Sequence, residues 1–445
     1  VLQSHSTDEE ERMEKRQQFL AYGQITTHRT CPQQWMYKHH RRLEKVDPQE
    51  AKVELEFGLW WHALRAADSI ERGLLHGSLQ WVPDRIATVD GGPTIELGTI
   101  EDLRAEDEHG GVHLVRRVLT LADEWWKGRT QVELEAWETR IREDLPTRLR
   151  KVDASWRERW SEDLTYERPL AVELYWRRDL PPLTDKGTGE MHDTATTMVG
   201  YVDEVYFDDR RNLVVARDHK AHKALAARTS AEDMMDSQLQ VYAWGASPTV
   251  TAWGYGPIRA TAYDRVRSAA PKSPSITASG TLSKSVTDYD LATYLAFAAG
   301  PDGEGVPWGD PGAVYASGAK KGQPKPSGVY TAEESVIAKL SDPAALSAWH
   351  QRTLTPLNRN VVTTHLRAAV DTAGDVRRTR ERAVETGEAG RNLTKGCQWC
   401  PFAELCRAEM TGGARGEYDL EAMFIRPRKG SSRAEAVAAK DTTTP

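Results

Sequence analysis

Three residues have the types and spacing to do chemistry on a phosphate: Asp203, Asp218 and Lys220. Hard carboxylate oxygens bind Mg²⁺ or Mn²⁺. Such an ion polarises a phosphate and lowers the pKa of a bound water. A lysine beside it can orient or deprotonate that water, or offset charge in the transition state. In a strand, period-two alternation puts Asp218 and Lys220 on one face. Asp-x-Lys alone occurs in most proteins of this size, usually as a solvated strand end with an ordinary ion pair. The surroundings matter more. Gly58 and His62 stand four apart in a helical run, one turn from each other. The glycine would let that helix approach a sheet. The imidazole is either a metal ligand or a half-buried histidine beside Trp61. Gln238 and Tyr242 are also four apart; they would orient the lysine, hold a nucleic-acid strand, or simply pack a helix.

The second group is the cysteines. Of four, Cys397, Cys400 and Cys406 fall within ten residues and Cys31 lies far upstream. An extracellular disulfide framework scatters its cysteines, so this clustering favours a reduced compartment and a metal site. Four thiolates spaced C-x₂-C-x₅-C plus one fit either a Cys₄ zinc site or a [4Fe–4S] cluster. Joining Cys31 to the trio would close a loop of most of the chain and pin the first helices to the last segment.

These residues need elements to hold them. Residues 9–22 read as a polar helix, and a second helix starts near Pro32, proline being well placed in a first turn. Residues 54–75 have apolar residues at helical spacing. Residues 111–163 are helical in pattern with a break near Pro146. The texture then changes to short runs rich in Val and Tyr: 169–177, 198–207 and 212–218, the last two joined by the turn at 208–211 as a hairpin. The hairpin would place Asp203 and Asp218 at strand ends on the sheet's edge. A helix at 231–247 and a strand at 249–255 follow. Residues 256–328 carry Pro, Ser and Gly clusters and read as irregular; helices resume at 331–387, and residues from 429 onward form a low-complexity tail expected to be disordered. The implied organisation is N-terminal helices (1–100), a helical insertion (101–165), an α/β core (166–258), an irregular insertion (259–330), C-terminal helices with the cysteines (331–428) and a tail (429–445).

The 445 residues carry a formal charge of −7, which argues against a generic basic nucleic-acid coat protein but not against an enzyme whose carboxylates hold metal. Basic runs at 38–42 and 259–284 could touch phosphate or form solvated faces. Trp35, Tyr37 and Trp60 could stack on bases or pack in a core. No stretch is long and apolar enough for a membrane span, and no secretory signal is evident, so a cytoplasmic location is expected.

The order G-x-x-x-H, Gly200-Tyr-Val-Asp203, Asp218-His-Lys220, Q-x-x-x-Y resembles the RecB-like branch of the PD-(D/E)XK nuclease superfamily. With Cys31-Pro32 and Cys397-Gln-Trp-Cys400-Pro-Phe-Ala-Glu-Leu-Cys406, it is similar to the iron–sulfur members of that branch, among them the AddB nuclease domain, CRISPR-associated RecB-like exonucleases and phage-encoded relatives. The resemblance implies a restriction-endonuclease-like core, a central mixed sheet flanked by helices, with an iron–sulfur lobe. It implies His62, Asp203, Asp218 and the backbone carbonyl of His219 as ligands of Mg²⁺ or Mn²⁺, Lys220 as the catalytic lysine, and Gln238 and Tyr242 as the motif after it. Glu173 sits where many members carry an acid, although a strand-surface glutamate is the simpler reading. The four cysteines would hold a [4Fe–4S] cluster of structural role. The implied function is a DNA exonuclease on single strands or duplex ends, with recombination or replication proteins as partners; the alternative is a non-catalytic iron–sulfur DNA-binding or assembly subunit. Asp218 departs from the commoner Glu, His219 from a frequent aromatic and Ala221 from a frequent Thr. Residues 101–165 and 256–330 have no assignable counterpart.

Overall fold

A computed structural model describes residues 18–45, 53–89, 92–109, 111–128, 144–184, 191–192, 196–226, 230–277, 279–282, 288–310, 312–317, 320–321, 323–410 and 424–425. The principal strands are β1 (Gln18–Ala21), β2 (Glu167–Asp179), β3 (Thr196–Asp208), β4 (Leu213–His222), β5 (Ile258–Arg267) and β6 (His350–Pro356). The helices that matter here are α1 (Tyr22–Thr30), α2 (Pro32–Trp35), α3 (Val53–Leu75), α4 (Ile100–Glu108), α5 (Leu114–Lys127), α6 (Leu145–Tyr166), α7 (Ser237–Ala252), α8 (Leu291–Ala299), α9 (Arg359–Thr386) and α10 (Ala403–Met410).

The six strands form one mixed sheet. β2 runs antiparallel along β3 from Asp179↔Thr197 to Glu167↔Asp208 and so occupies one edge of it throughout. The other edge is shared. β1 pairs in parallel with Thr196 to Val199, and β4 pairs antiparallel with Glu204 to Asp208. Among the described residues, 200–203 have neither neighbour on that edge. The sheet therefore opens a fork inside itself at Gly200-Tyr201-Val202-Asp203. β5 lies parallel to β4, and β6 closes the far edge antiparallel to β5.

Two apolar layers sandwich the sheet. One face packs on α7 and α9 through Leu239, Val241, Ala246, Val250, Leu366 and Val370. The other packs on α3, α5 and α6, where Phe57, Trp60, Trp61, Leu64, Ile70 and Leu74 realise the helical spacing of residues 54–75. Trp35, Tyr37 and Trp60 are core residues with almost no exposed surface, so none of them offers a stacking platform to a base.

Several local expectations change. Residues 18–21 extend the sheet instead of ending a helix, pulled into pairing by β3; Tyr22 begins α1, and residues 9–17 of the expected helix lie outside the described residues. Residues 249–255 are not a strand: α7 runs to Ala252, and a turn follows. Ile258 to Arg267 is the core strand β5, and its antiparallel neighbour β6 falls within the expected helical stretch 331–387. The stretch 256–328, expected to be irregular, thus contains β5 and also the helix α8. Gly58 does not mediate close packing, since a Cβ there would meet nothing within 4 Å. The close approach occurs elsewhere: Trp176 of β2 is wedged between Gly200 and Gly245, where a Cβ would fall 2.9 Å and 2.2 Å from the indole. The expected tail from 429 onward lies outside the described residues.

Candidate active site at the strand fork

Asp203 and Asp218 sit where β3 and β4 part. The last register pair of that ladder is Glu204↔Arg217, so the next step on each strand is one of the two carboxylates. Neither residue ends its strand, and the site is internal to the sheet, not on its edge. The backbone N–H of His219 donates to Asp203 Oδ2 at 2.9 Å, which ties the two strands together at the point of divergence. Lys220 Nζ lies 3.0 Å from Asp218 Oδ1 and 2.8 Å from Oδ2, as the shared face requires. His62 reaches the fork from α3, its Nδ1 3.2 Å from Asp203 Oδ2.

Glu173 is abreast of Asp203 on β2, between Val172 and Leu174, whose partners are Glu204 and Val202. It is buried, not a strand-surface residue, and holds a left-handed φ of 51°. A glutamate in that conformation is strained, and such strain collects at functional sites. Its charge reaches His62. Tyr242 also joins the group: it bonds to Gln238 one turn earlier on α7, and its hydroxyl feels Asp218, Asp203 and Lys220. His62, Glu173, Asp203, Asp218, Lys220 and Tyr242 are therefore brought together, and Gln238 joins them through its bond to Tyr242.

The electrostatics are those of two acids forced into one place. Burial pushes the Asp218 carboxyl up, and the Asp203 charge pushes it further, to about 7, against the pull of Lys220. Asp203 goes the other way: burial opposes its charge, but His62 and then Lys220 outweigh it and hold the carboxyl below the usual range. His62 is held above its ordinary value because Asp203, Glu173 and Asp218 overcome burial. Lys220 is raised by the same carboxylates. The protein's own cations thus lie against the acids, and among the described residues no three His, Cys, Asp or Glu side chains form a closed metal-holding group. The donor set nevertheless fits a hard divalent ion in type. Two buried carboxylates whose mutual repulsion drives one of them towards protonation are relieved by a cation between them.

Sequence spacing did not reveal the neighbours supplied by β5. Tyr263 is opposite Asp218 and is bonded to Asp236, the residue that caps α7. Arg265 is opposite Lys220 and is held by both oxygens of Asp233 at 2.9 and 2.6 Å. The basic run beginning at 259 is, at this point, buried and paired rather than offered to phosphate. No local motif marks these residues; only strand register does.

The cysteines sit on elements from the two ends of the chain, and among the described residues they form no metal-holding group. Cys31 caps the end of α1, Cys397 lies within a short 3₁₀ turn (Lys395–Trp399) that Cys400 follows, and Cys406 is on α10. Burial raises the Cys400 thiol, and Cys31, Cys397 and Cys406 add to the rise. All four are free thiols. Side-chain bonds stitch the two ends: Ala389 N donates to Gln33 Oε1 at 2.9 Å and Asn392 Nδ2 to Thr30 O at 3.0 Å. Glu409 of α10 is a common acceptor for Tyr37 at 2.5 Å, Arg41 at 2.9 Å and Arg391 at 3.1 Å.

A mixed sheet between helical layers, with paired acids and a lysine at an internal fork, defines an α/β protein whose donor set suits a hard divalent ion. The chain belongs to the PD-(D/E)XK nuclease superfamily, whose family model matches residues 20–407. No curated protein matches the chain. Among the described residues no helix is long and apolar enough to cross a membrane.

Proposed function

We propose that this chain is a metal-dependent deoxyribonuclease, an exonuclease acting on single strands or duplex ends. The observation that carries the reading is the fork itself, where Asp203 and Asp218 converge and Lys220 stands 2.8 Å from Asp218. His62, Asp203, Asp218 and the backbone carbonyl of His219 would hold Mg²⁺ or Mn²⁺, with Glu173 as an outer acid. A bound divalent ion supplies Lewis acidity towards the phosphate and makes water acidic enough to attack. The protein's part is positional and electrostatic. Asp203 and Asp218 fix the site between two strands that cannot slide, because the His219 N–H anchors Asp203. Lys220 keeps an ammonium beside the place where a phosphate's charge grows, and Tyr242 with Gln238 bounds that place on the α7 side. The scissile P–O bond is cleaved by water, leaving the 5′-phosphate expected of this superfamily branch.

The second half of the reading is a [4Fe–4S] cluster on Cys31, Cys397, Cys400 and Cys406, of structural role. Its support is the C-x₂-C-x₅-C spacing with Cys31 and the hydrogen-bonded seam that joins Thr30 and Gln33 to residues 389–392. A cytoplasmic location, that of the host if the chain is phage-encoded, and recombination or replication partners fit this reading.

End-labelled single- and double-stranded DNA, digested with Mg²⁺ and with Mn²⁺, tests the activity. Wild type should shorten label from an end, and Asp218→Ala and Lys220→Ala should each lose about 100-fold or more of the rate. Uncut DNA with cluster-loaded wild type would leave a DNA-binding or assembly subunit as the reading. A brown preparation with broad visible absorbance and bound iron supports the cluster; a colourless zinc protein removes it.

A further inference from the structure

Away from the fork, α6, α8 and residues 339–350 enclose a cavity of about 440 Å³. α6 comes from the helical stretch 101–165 and α8 from the stretch 259–330, the two segments to which the sequence assigned no role. The walls are apolar, formed mainly by Leu291, Leu295, Leu340, Leu346 and Trp349. The floor is polar: Ser155, Tyr289, Asp290 and His350 line it, and all four are more than nine-tenths buried.

Proton counting fixes what that floor offers. Ser155 donates its one hydroxyl proton to Asp290 Oδ2. The other oxygen of Asp290 accepts from Thr293 N at 2.8 Å and caps α8. With no second proton, Ser155 Oγ must accept from His350 Nε2, 2.5 Å away. Burial holds His350 down to about 4, so the ring is neutral at ordinary pH and its Nδ1 is a bare acceptor. Among the described residues, His350 Nδ1 has no hydrogen-bond partner, and neither does the hydroxyl of the fully buried Tyr289. This is no acyl-transfer triad, because the carboxylate holds the serine instead of the far imidazole nitrogen. Buried polar atoms are nearly always paired. Two orphans lining one apolar cavity call for a flat ligand whose edge carries donor and acceptor together. Arg159 and Lys339 line the same cavity and are exposed, beside the exposed acid Glu158, while the second lining acid, Asp290, is buried and bonded to Ser155 and Thr293.

We propose that this cavity binds a nucleotide, with the base against Tyr289 and His350 between the apolar walls and the phosphate on Arg159 and Lys339. The volume is within the range of small-molecule sites. The choice of a phosphate-bearing heteroaromatic over another flat, polar-edged molecule rests on the nuclease reading. The nucleotide comes either from a strand engaged at the fork, unstacked into the cavity, or from the free mononucleotide pool that phosphodiester hydrolysis produces.

Calorimetric titration of the full-length protein, without added divalent ions, separates the outcomes. The probes are the four deoxynucleoside 5′-monophosphates and a six-nucleotide single strand. Wild type should bind at least one probe. Tyr289→Phe, which removes only the orphan hydroxyl, should weaken that binding about 10-fold. Ala292→Trp should abolish it by filling the cavity. Mononucleotide binding with this pattern identifies the free pool as a source; binding of the hexamer alone identifies the strand. No binding by wild type, or binding that survives both cavity variants, overturns the proposal. Digestion of DNA by the same preparation keeps the two readings apart. A protein that cuts DNA but binds no probe loses only the cavity proposal. One that binds with the stated pattern but never cuts loses only the nuclease reading.

Discussion

Asp203 and Asp218 are the same residue type a few ångströms of backbone apart, yet they titrate in opposite directions. The difference lies in their partners: His62 and the His219 N–H stabilise a charge on Asp203, while on Asp218 burial and its neighbour's charge outweigh Lys220 and the more weakly felt His62. A pH dependence follows. Without a divalent ion Asp218 keeps its proton up to about 7. Binding Mn²⁺ requires the carboxylate, so the proton must leave. Below about pH 7 apparent Mn²⁺ affinity should therefore fall roughly tenfold per pH unit, and above it the dependence should level off. His62, held above its ordinary value, releases a proton in the same direction. Asp203→Asn removes the like charge and should move the break to lower pH. Calorimetric Mn²⁺ titrations at pH 6, 7 and 8 check this, and an affinity flat across that range would contradict it. At this scale the spacing of Asp218 and Lys220 was legible because alternation is a property of any strand. The roles of Tyr263, Arg265 and Asp236 were not, since they depend on which residue of β5 lands opposite β4.

At the scale of elements, the β3–β4 hairpin was readable from Val and Tyr runs around a polar turn, closed by Asn212 at a φ of 53°. The end of α7 was not. Its last turns contain Pro248 and the β-branched Thr249, Val250 and Thr251, a composition that reads as a break and a strand. The helix survives because tertiary contacts repair it. Pro248 has no N–H to give to the carbonyl of Trp244, and Arg178 of β2 donates to that carbonyl at 2.7 Å instead. The same guanidinium lies over the Trp244 ring, 4.1 Å from its centroid. Val250 and Ala246 then hold the turn against the sheet. Arg178→Ala should thus cost about 1–2 kcal/mol by orphaning the carbonyl as well as losing the stack. In a Pro248→Ala background the helix supplies its own N–H, and the same change should cost about 1 kcal/mol less. Urea denaturation of the four proteins gives the coupling. Additive losses would mean that Arg178 does not stand in for the missing donor.

Across the whole molecule, the sheet and its α3–α6 layer are joined by charge as well as by apolar packing. Glu204 of β3 accepts from Arg217 of β4 at 2.8 Å and from Arg72 of α3 at 3.1 Å. Arg217, wholly buried, also pairs with Glu167 of β2 at 2.6 Å. Arg352 of β6 links Glu167 at 3.0 Å to Asp264 of β5 at 2.9 Å, and Asp264 accepts from Trp156 of α6 at 3.0 Å. The network lies directly behind the fork, since Arg217 and His219 alternate with Asp218 and Lys220 along β4. A formal charge of −7 conceals it, because its members cancel in the sum and are distant in sequence. Removing one acid leaves buried guanidinium groups under-compensated. Glu204→Gln should cost about 3–5 kcal/mol at pH 7, with the loss felt at the fork because Glu204 adjoins Asp203. The pH dependence has a definite sign. Burial opposes the Glu204 charge, but Arg217 and Arg72 hold its carboxyl well below the usual range, and Asp264 is likewise lowered by Arg352. Their stabilisation is complete above the unfolded carboxylate value and drains away as pH falls towards the lower folded values. Wild type should therefore lose stability below about pH 4, and the gap to Glu204→Gln should narrow as it does. Urea midpoints for both proteins between pH 7 and 3 measure that gap. A gap that stays constant or widens on acidification would show that Glu204 acts by shape and hydrogen bonding, without the charge.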